Sequence, residues 1–487
     1  MNKILPLVLA LALSPFTASG TAHACGGFFC GVSPVDQAAE RIVFSVNDDE
    51  TITMAVQVSY QGKSEDFAWV LPLPEVPDAE SLKVIPTATL VGLDAQTGPQ
   101  FRYPDDCPGI NFAASAESDD GGGSGGDPVL VHIQKKVGGY IASVIESKDP
   151  EALLKWLREN GYRVPGTMDP YIVQYTEEGM KFLALKLSDE ADVTDIQPFV
   201  FTLPGTTPSI PLRMTALAAE PEMGIVVLIA ANQRFAPANW PEVTIDDGDL
   251  VWNPGTWPVE TNWTSLVAKG VDKAGGQGWV TELVEETTRL RDLAENSFPQ
   301  DEDQEKAVEA ILDLLKDKTH ITRLYTRLSA EEMSSDPVFR RDMGGPVSRE
   351  RQLPELVNGK DACEIDPWSE PEAAAALTTP CDFVTCGAGG LCRTAMVDGS
   401  AMPGCACVPG ATARTTLDPE GQATVVCQDQ RMSFLNPGDK DDAGQALPDP
   451  CVGFECGAGT CLPINMTPTC VCDEGFVATG TFKEDGT

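Results

Sequence analysis

Histidine is nearly missing from this sequence. Of its 487 residues three are histidine, and His23 lies in a segment predicted to be removed, which leaves His132 and His320. Two histidines are a poor supply for serine–histidine–aspartate triads, cysteine–histidine pairs or multi-histidine zinc sites. His132 falls in an alternating strand pattern and His320 precedes the segment ITRLYTR, so both are interpreted as packing or surface residues.

Carboxylate pairs could still perform acid–base chemistry. However, 73 aspartates and glutamates give no basis for choosing a pair. We therefore predict no catalytic residue, no metal ligand and no cofactor, and interpret the chain as a non-enzyme.

Positive charge and long apolar runs are also scarce. Lysine and arginine number 34 against the 73 acidic residues, so the chain repels nucleic acid and a nucleic-acid partner is excluded. No stretch reaches the roughly 20 apolar residues that a membrane-spanning helix needs. We expect no transmembrane segment in this chain.

The N-terminal 24 residues are typical of a secretory signal. Lys3 gives the positive start, residues 4–13 form a short apolar run, and Ala22-His23-Ala24 fits the small-x-small cleavage rule. Cleavage after Ala24 would make Cys25 the N-terminal residue of the mature chain. The sequence does not decide whether Cys25 is lipidated. The predicted location is outside the cytoplasm: periplasm, cell surface or extracellular space.

Cysteines are abundant, and they crowd the C-terminal part. Eleven of the fifteen lie after residue 380, and in an exported chain they favour disulfides over thiols or zinc ligands. They fall into two similar units with the texts CDFVTCGAGGLC and CVGFECGAGTC. The first unit holds Cys381, Cys386, Cys392, Cys405, Cys407 and Cys427, and the second holds Cys451, Cys456, Cys461, Cys470 and Cys472.

This order and spacing resemble EGF-like modules. The resemblance implies bridges from first to third, second to fourth and fifth to sixth cysteine, that is Cys381–Cys392, Cys386–Cys405 and Cys407–Cys427. In the second unit it implies disulfides for Cys451, Cys461, Cys456 and Cys470. Spacing alone leaves fifteen pairings open for six cysteines.

The second unit lacks a sixth cysteine to pair with Cys472. We expect that partner beyond Thr487, where a membrane anchor could also lie. The remaining cysteines, Cys25, Cys30, Cys107 and Cys363, are expected in disulfides whose pairing stays open.

Hydrophobic periodicity predicts an α+β fold, rich in antiparallel sheet, with helices late in the domain. An opening meander is expected over residues 42–74, and further strands over 140–145, 182–187, 199–203 and 223–230. Asp149-Pro150 predicts a capped helix ended by Gly161. Two later helices are predicted over about 280–296 and 303–316.

Six segments stand out in order along the first two-thirds of the chain: CGGFFC, PVDQAAERIVF, FAWVLPLP, LLKWLRENGYRVP, GMKFLALKL and ITRLYTRLSAEEMSSDPVF. They resemble the bacterial domain-of-unknown-function family numbered 2330, over about residues 25–343. The resemblance implies no activity, substrate or catalytic residue.

Other motifs have a simpler interpretation. The glycine run at 121–126 matches hydrolase and dinucleotide patterns but lacks the strand before it and the helix after it that those folds need. Asp439 to Gly444 approaches a calcium loop without its closing glutamate. The tryptophans could stack on a sugar, but core positions are the simpler expectation.

The predicted domains are a signal peptide (1–24), an α+β domain (25–345) with an acidic, glycine-rich insert (114–127), a linker (346–380), an EGF-like module (381–427), a linker (428–450) and an apparently truncated module (451–487). This plan favours an exported protein that binds an unknown protein or glycan at the cell surface. A passive envelope component and an exported carboxylate-dependent hydrolase are the alternatives.

Overall fold

The computed structural model describes residues 40–57, 67–104, 130–162, 168–188, 190–191, 195–216, 219, 222–256, 258–365, 371–387, 390–397, 400–407, 411–417, 423–429, 459–464, 467–472 and 478–479. The signal segment, the insert 114–127, the glycine run and the calcium-like loop lie outside these residues.

The strands before residue 366 are β1 (Glu40–Val46), β2 (Thr51–Val56), β3 (Ala68–Leu73), β4 (Lys83–Val84), β5 (Gln100–Arg102), β6 (Leu130–Val137), β7 (Tyr140–Glu146), β8 (Lys181–Leu187), β9 (Phe199–Pro204), β10 (Met223–Ala231), β11 (Phe235–Pro237), β12 (Glu242–Val243), β13 (Trp252–Asn253), β14 (Glu260–Thr261), β15 (Trp279–Glu286), β16 (His320–Leu328), β17 (Phe339–Arg341), β18 (Glu350–Gln352), β19 (Leu356–Val357) and β20 (Lys360–Asp361). The α-helices are α1 (Thr87–Thr97), α2 (Pro150–Glu159), α3 (Asp169–Glu177), α4 (Leu212–Thr215), α5 (Trp263–Lys273), α6 (Thr288–Glu295), α7 (Glu302–Leu314) and α8 (Pro371–Ala375).

An eight-stranded mixed sheet forms the centre of the molecule, in the order β12-β15-β16-β10-β1-β2-β9-β4. Its middle strand β10 is buried at every position from Gly224 to Ala231, so its side chains are covered on both faces of the sheet. A strand buried on both faces shows a continuous apolar run rather than alternation, and IVVLIAA in β10 has that form. β1 runs parallel to β10, whereas its hairpin partner β2 runs antiparallel.

A second, antiparallel sheet has the order β3-β8-β7-β6. Helices α2 and α3 contact each other, and their apolar side chains build a separate core with Phe182 and Ala184 of β8. Asp149 caps α2 by accepting hydrogen bonds from the backbone N–H groups of Glu151 (3.0 Å) and Ala152 (3.4 Å). Gly161 follows the helix with φ +78°, a conformation that favours glycine.

Replacing Asp149 by alanine is expected to destabilise the protein by about 1 kcal/mol, because two backbone donors at the start of α2 lose their acceptor. Urea denaturation followed by circular dichroism measures this. Lys155→Ala on the exposed face of the same helix is the control, expected within about 0.5 kcal/mol of wild type. An equal effect of the two substitutions would contradict the capping role.

The α+β class is confirmed, as are the strands at 140–146, 181–187, 199–204 and 223–231 and the helices at 150–159 and 302–314. The predicted helix over 280–296 is wrong in its first half. Residues 279–286 form β15, and only 288–295 are helical. Trp279, Val280, Leu283 and Val284 are all buried, and β15 pairs with β16 through a bulge between Thr281 and Leu283. The bulge breaks the alternation of a strand, so the sequence mimics helical spacing.

The predicted opening meander is also wrong beyond its first hairpin. β2 takes β9 as its second neighbour, and β3 pairs with β8 in the other sheet. β3 continues through Pro72. β3 is an edge strand, so one side of it has no neighbour among the described strands. Proline, which has no N–H to donate, is tolerated there.

Residues 350–365 and 371–380, in the segment predicted as a linker, pack on the main body. β18 pairs with β5, and Leu353, Val357, Ala362 and Leu377 join the large hydrophobic core. The later described strands are β21 (Gly390–Val397), β22 (Ser400–Cys407), β23 (Ala411–Leu417), β24 (Ala423–Asp429), β25 (Gly459–Ile464), β26 (Thr467–Cys472) and β27 (Ala478–Thr479). They form sheets with the orders β21-β22-β27 and β24-β23-β26-β25. Among the described helices, none has the length and apolar character needed to cross a membrane.

Candidate functional site

Three carboxyl groups come together where β10, β16 and α5 approach one another. Glu222 directly precedes β10, Asp272 lies in the last turn of α5, and Glu332 ends the short 3-10 turn Ala330–Glu332 that follows β16. Glu222 is 2% exposed and Glu332 is 8% exposed. Glu222 also has φ 56°, a left-handed conformation that costs a non-glycine residue about 1 kcal/mol. The buried position of the Glu222 carboxyl group therefore goes with a backbone conformation that is unfavourable in free energy.

Ser329 connects the two glutamates. Its hydroxyl oxygen accepts a hydrogen bond from the backbone N–H of Glu222 (3.1 Å). Its own backbone N–H donates to Oε2 of Glu332 (2.8 Å), which closes a capping box at the start of the turn. Gln277 fixes the same turn from the other side, because its Nε2 donates to the carbonyl of Glu332 (3.0 Å).

Burial and mutual repulsion make these carboxyl groups weak acids. Burial raises the pKa of Glu332 to about 10, with the charges of Glu222, Asp272 and Glu331 adding to it. Burial raises the pKa of Glu222 to about 8, with Asp272 adding and Arg327 opposing. Burial also raises the pKa of Asp272, against a hydrogen bond with Glu332. Glu222 and Glu332 therefore hold protons at neutral pH.

Protonated carboxyl groups could donate protons to a bound substrate. Two surface cavities, of about 360 and 570 Å³, are lined by other residues. In the described part of the chain, no group of three or more His, Cys, Asp or Glu side chains is arranged to hold a metal ion. Neither of these two cavities is lined by Glu222, Asp272 or Glu332.

A second charged group is buried within the central sheet. Asp94 of α1 is 0% exposed and accepts hydrogen bonds from Nε of Arg41 and Nη1 of Arg323, both at 2.6 Å. Arg323 also donates from Nε to Glu282 at 2.5 Å, and Glu282 accepts a further hydrogen bond from Nε1 of Trp263 at 2.6 Å. Two arginines face two acids, so the buried charges balance across β1, β15, β16 and α1.

The C-terminal unit is stabilised by disulfides. Cys381 is bonded to Cys392, Cys386 to Cys405, and Cys407 to Cys427. Its own hydrophobic cluster consists of the buried Cys386, Cys405 and Cys427, with Cys392 and Cys407 against them. Cys363 is disulfide-bonded as well. Cys461 and Cys470 are paired positions in the backbone register of β25 and β26.

The comparisons with known proteins identify the family but no activity. Residues 19–340 match the family described as "Uncharacterized protein conserved in bacteria (DUF2330)". The chain belongs to this family. The curated proteins contain no match. Among solved structures, a mutated baculovirus P35 after caspase cleavage is 10% identical, with 63% of this chain and 99% of that chain covered, at a TM-score of 0.28. So low a score carries no argument about fold or function.

The DUF2330 match spans the carboxyl cluster and the buried ion pairs, and it ends before the disulfide-bonded unit. Within it, His132 and His320 lie at the surface. Nε2 of His132 is 2.9 Å from Oε2 of Glu146, and Nδ1 of His320 is 2.9 Å from the hydroxyl of Thr319. Cys25, Cys30 and Cys107, and beyond the match Cys451 and Cys456, lie outside the described residues.

Asn262-Trp263-Thr264 matches the sequence pattern of an N-glycosylation site, but Asn262 lies in the folded interior of the DUF2330 domain. Asn262 is 4% exposed, its Oδ1 accepts from the N–H of Val251 (2.8 Å), and its Nδ2 donates to the carbonyl of Asp249 (3.2 Å). A glycan on this side chain is incompatible with the fold. The buried tryptophans Trp156, Trp252, Trp263 and Trp279 likewise belong to the core.

The sequence offered little to single out the carboxyl cluster. Its members are 50 to 110 positions apart, and the chain has 73 acidic residues. One local signal existed for Glu332: Ser329-Ala-Glu-Glu332 has the spacing of a capping box. No comparable pattern marks Glu222 or Asp272, because tertiary packing alone buries them.

Proposed function

We propose that this DUF2330 protein is exported and acts outside the cytoplasm by binding, with the large domain as a scaffold and the C-terminal modules as the contact surface. The observation that carries the proposal is the C-terminal unit, whose hydrophobic cluster consists of cysteines. A unit with so small a hydrophobic core needs its disulfide bonds to stay folded. Structural disulfides persist in oxidising compartments. An EGF-like identity of residues 381–427 and 451–487 is part of this proposal.

The attachment of the first module supports a scaffold role. The hydroxyl of Ser265 on α5 donates to the carbonyl of Val384 (3.3 Å), and Nδ2 of Asn358 donates to Oδ2 of Asp382 (3.0 Å). Burial lowers the pKa of Lys269 on the same helix, with Asp382 opposing. The module therefore begins at a fixed position on the main body rather than on a free tether. We place the boundary of the large domain near residue 380 in structural terms, although the family match ends at 340.

The proposed location outside the cytoplasm is tested on the native protein. The protein is recovered from separated cytoplasmic, envelope and medium fractions, and its mass is measured without reduction. The proposal expects it in the envelope or medium, with Cys381–Cys392, Cys386–Cys405 and Cys407–Cys427 oxidised. A fully reduced cytoplasmic protein would overturn it. Crosslinking in intact cells then tests binding, and repeated failure to recover a partner would favour a passive envelope component.

Removing the central bridge of the unit is expected to unfold it while the main body stays folded. The change is Cys386→Ala together with Cys405→Ala, which opens a loop of 19 residues. Bridges of this size contribute about 3 kcal/mol. Limited proteolysis with mass spectrometry should then show cuts within 381–427 and protection of 223–341.

Leu391→Ala is the control for that experiment, because Leu391 is 60% exposed and should not alter the protease pattern. Protection of 381–427 in the double variant would show that other contacts, not the bridge, hold the unit together.

A hydrolase using the carboxyl cluster is the second candidate. The raised pKa values of Glu222 and Glu332 favour it, since proton donors in enzymes are tuned in this way. Both described cavities lie away from the carboxyl cluster, so we rank the hydrolase after the binding function. Glu332→Gln should abolish any hydrolysis of chromogenic glycosides or esters by the purified protein, and unchanged activity would exclude this cluster as the source.

A further inference from the structure

Guanidinium groups converge on the C-terminal end of α1. Arg289 of α6 donates from Nη2 to the carbonyl oxygen of Gln96 at 2.7 Å, and Arg349 donates from Nη1 to the same oxygen. Arg102 lies nearby because β5 pairs in parallel with β18, which begins next to Arg349. The end of a helix carries about half a negative charge, which is too little to neutralise a full guanidinium charge.

Arg349 differs from its neighbours in its partners. Arg289 is paired with Glu285 (2.6 Å) and Arg102 with Glu350. Among the described residues, no carboxylate lies within ion-pair distance of Arg349, whose one hydrogen-bond acceptor is the Gln96 carbonyl. Burial lowers the pKa of Arg349 to about 10, with the positive charges of Arg289, Arg102 and Arg323 adding to this and Glu285 opposing it.

A half-buried guanidinium group surrounded by like charges is stabilised by any anion that reaches it. Arginine forks match the paired oxygens of carboxylates and phosphates, and such charge-assisted hydrogen bonds are strong. A helix cap alone would need one arginine, and Arg289 already provides it. The net charge of the chain is −39, so an extended polyanion would be repelled.

We propose that Arg349 and Arg289, with Arg102 at the rim, form a binding site for a single oxyanion group, a phosphate or carboxylate carried by a small ligand. The site belongs to the large domain, so the inference goes beyond the binding role of the C-terminal modules and does not depend on it.

Titration calorimetry of the full-length protein with inorganic phosphate tests the site, at constant ionic strength with chloride as the exchanged anion. The expected result is saturable binding at one site per chain. Arg349→Gln should weaken it about tenfold or more, because hydrogen bonds to charged groups are lost. Arg340→Gln is the control: Arg340 is exposed, with its closest carboxylate at 3.9 Å, and binding should be unchanged.

Acetate in place of phosphate distinguishes the two oxyanion classes, and binding of either supports the site. Glu285→Gln should tighten binding several-fold, because it removes the carboxylate that competes for Arg289. This gain cannot arise from misfolding. Absence of saturable binding of both anions, or equal affinity in wild type and Arg349→Gln, would overturn the proposal.

Discussion

Replacing Asp94 by alanine is expected to lower the free energy of unfolding by about 3–5 kcal/mol, because it leaves two buried guanidinium groups without their shared counter-charge. The side chains of Arg41 and Arg323 are 5% and 4% exposed, so water cannot replace the carboxylate without opening the sheet. Domains of this kind are stable by about 5–15 kcal/mol. The expected decrease is therefore a large part of the total free energy of unfolding. Urea denaturation of the variant and the wild type measures it.

Asp292→Ala is the matched control for that substitution, since Asp292 is an exposed aspartate on α6 and should change stability by less than about 0.5 kcal/mol. Apolar replacement of the whole network, Arg41→Met, Asp94→Leu, Glu282→Leu and Arg323→Met together, should cost less than the sum of the single changes, because no charge is left unpaired. A loss below about 1 kcal/mol for Asp94→Ala would show that the network contributes little.

The protein is expected to become more stable as the pH falls from about 8 to 5. The folded state keeps protons on Glu222 and Glu332, whose pKa values are about 8 and about 10, whereas the unfolded chain releases them above about 4.5. Between those values the folded state binds more protons, so stability falls as the pH rises. The slope is on the order of 1 kcal/mol per pH unit for each group. Thermal unfolding at constant ionic strength over this pH range measures it.

Glu332→Gln should reduce this pH dependence and make the variant more stable than wild type at pH 8, because glutamine needs no proton to stay neutral. Glu309→Gln, on the exposed side of α7, removes the same formal charge and should leave the slope unchanged. If both variants kept the wild-type slope, the pH dependence would come from the general negative charge of the chain instead of the cluster.

Local chemistry predicted individual elements better than their neighbours. Asp149-Pro150 at the start and Gly161 at the end predicted α2 without help from the rest of the chain. The partners of β2 and β3 could not be predicted in this way, because an alternating strand fits any sheet with an apolar face. The error at Val280 to Glu286 has another cause. A bulge between Thr281 and Leu283 places the buried apolar residues of this strand at a spacing that is typical of a helix.

The candidate site was less predictable than the fold. An aspartate in a solvated loop and one between two buried arginines look alike in sequence, so neither Asp94 nor Asp272 could be singled out. Arg349 was equally inconspicuous, because its segment lacks an apolar pattern and was predicted as a linker. Cysteines were the exception: their crowding after residue 380 predicted a disulfide-bonded unit, and the resemblance to EGF-like modules supplied the expected pairing.

The strand order of the central sheet sets when the chain can complete its fold. β1, near residue 40, has β10 as its parallel neighbour, and β10 in turn needs β16, which ends at Leu328. A nascent chain must therefore emerge almost to the end of the large domain before its first strand is enclosed. Such distant pairings slow folding, so the growing polypeptide stays open to proteases and chaperones for most of its synthesis. Chains cut before residue 320 should remain protease-sensitive throughout.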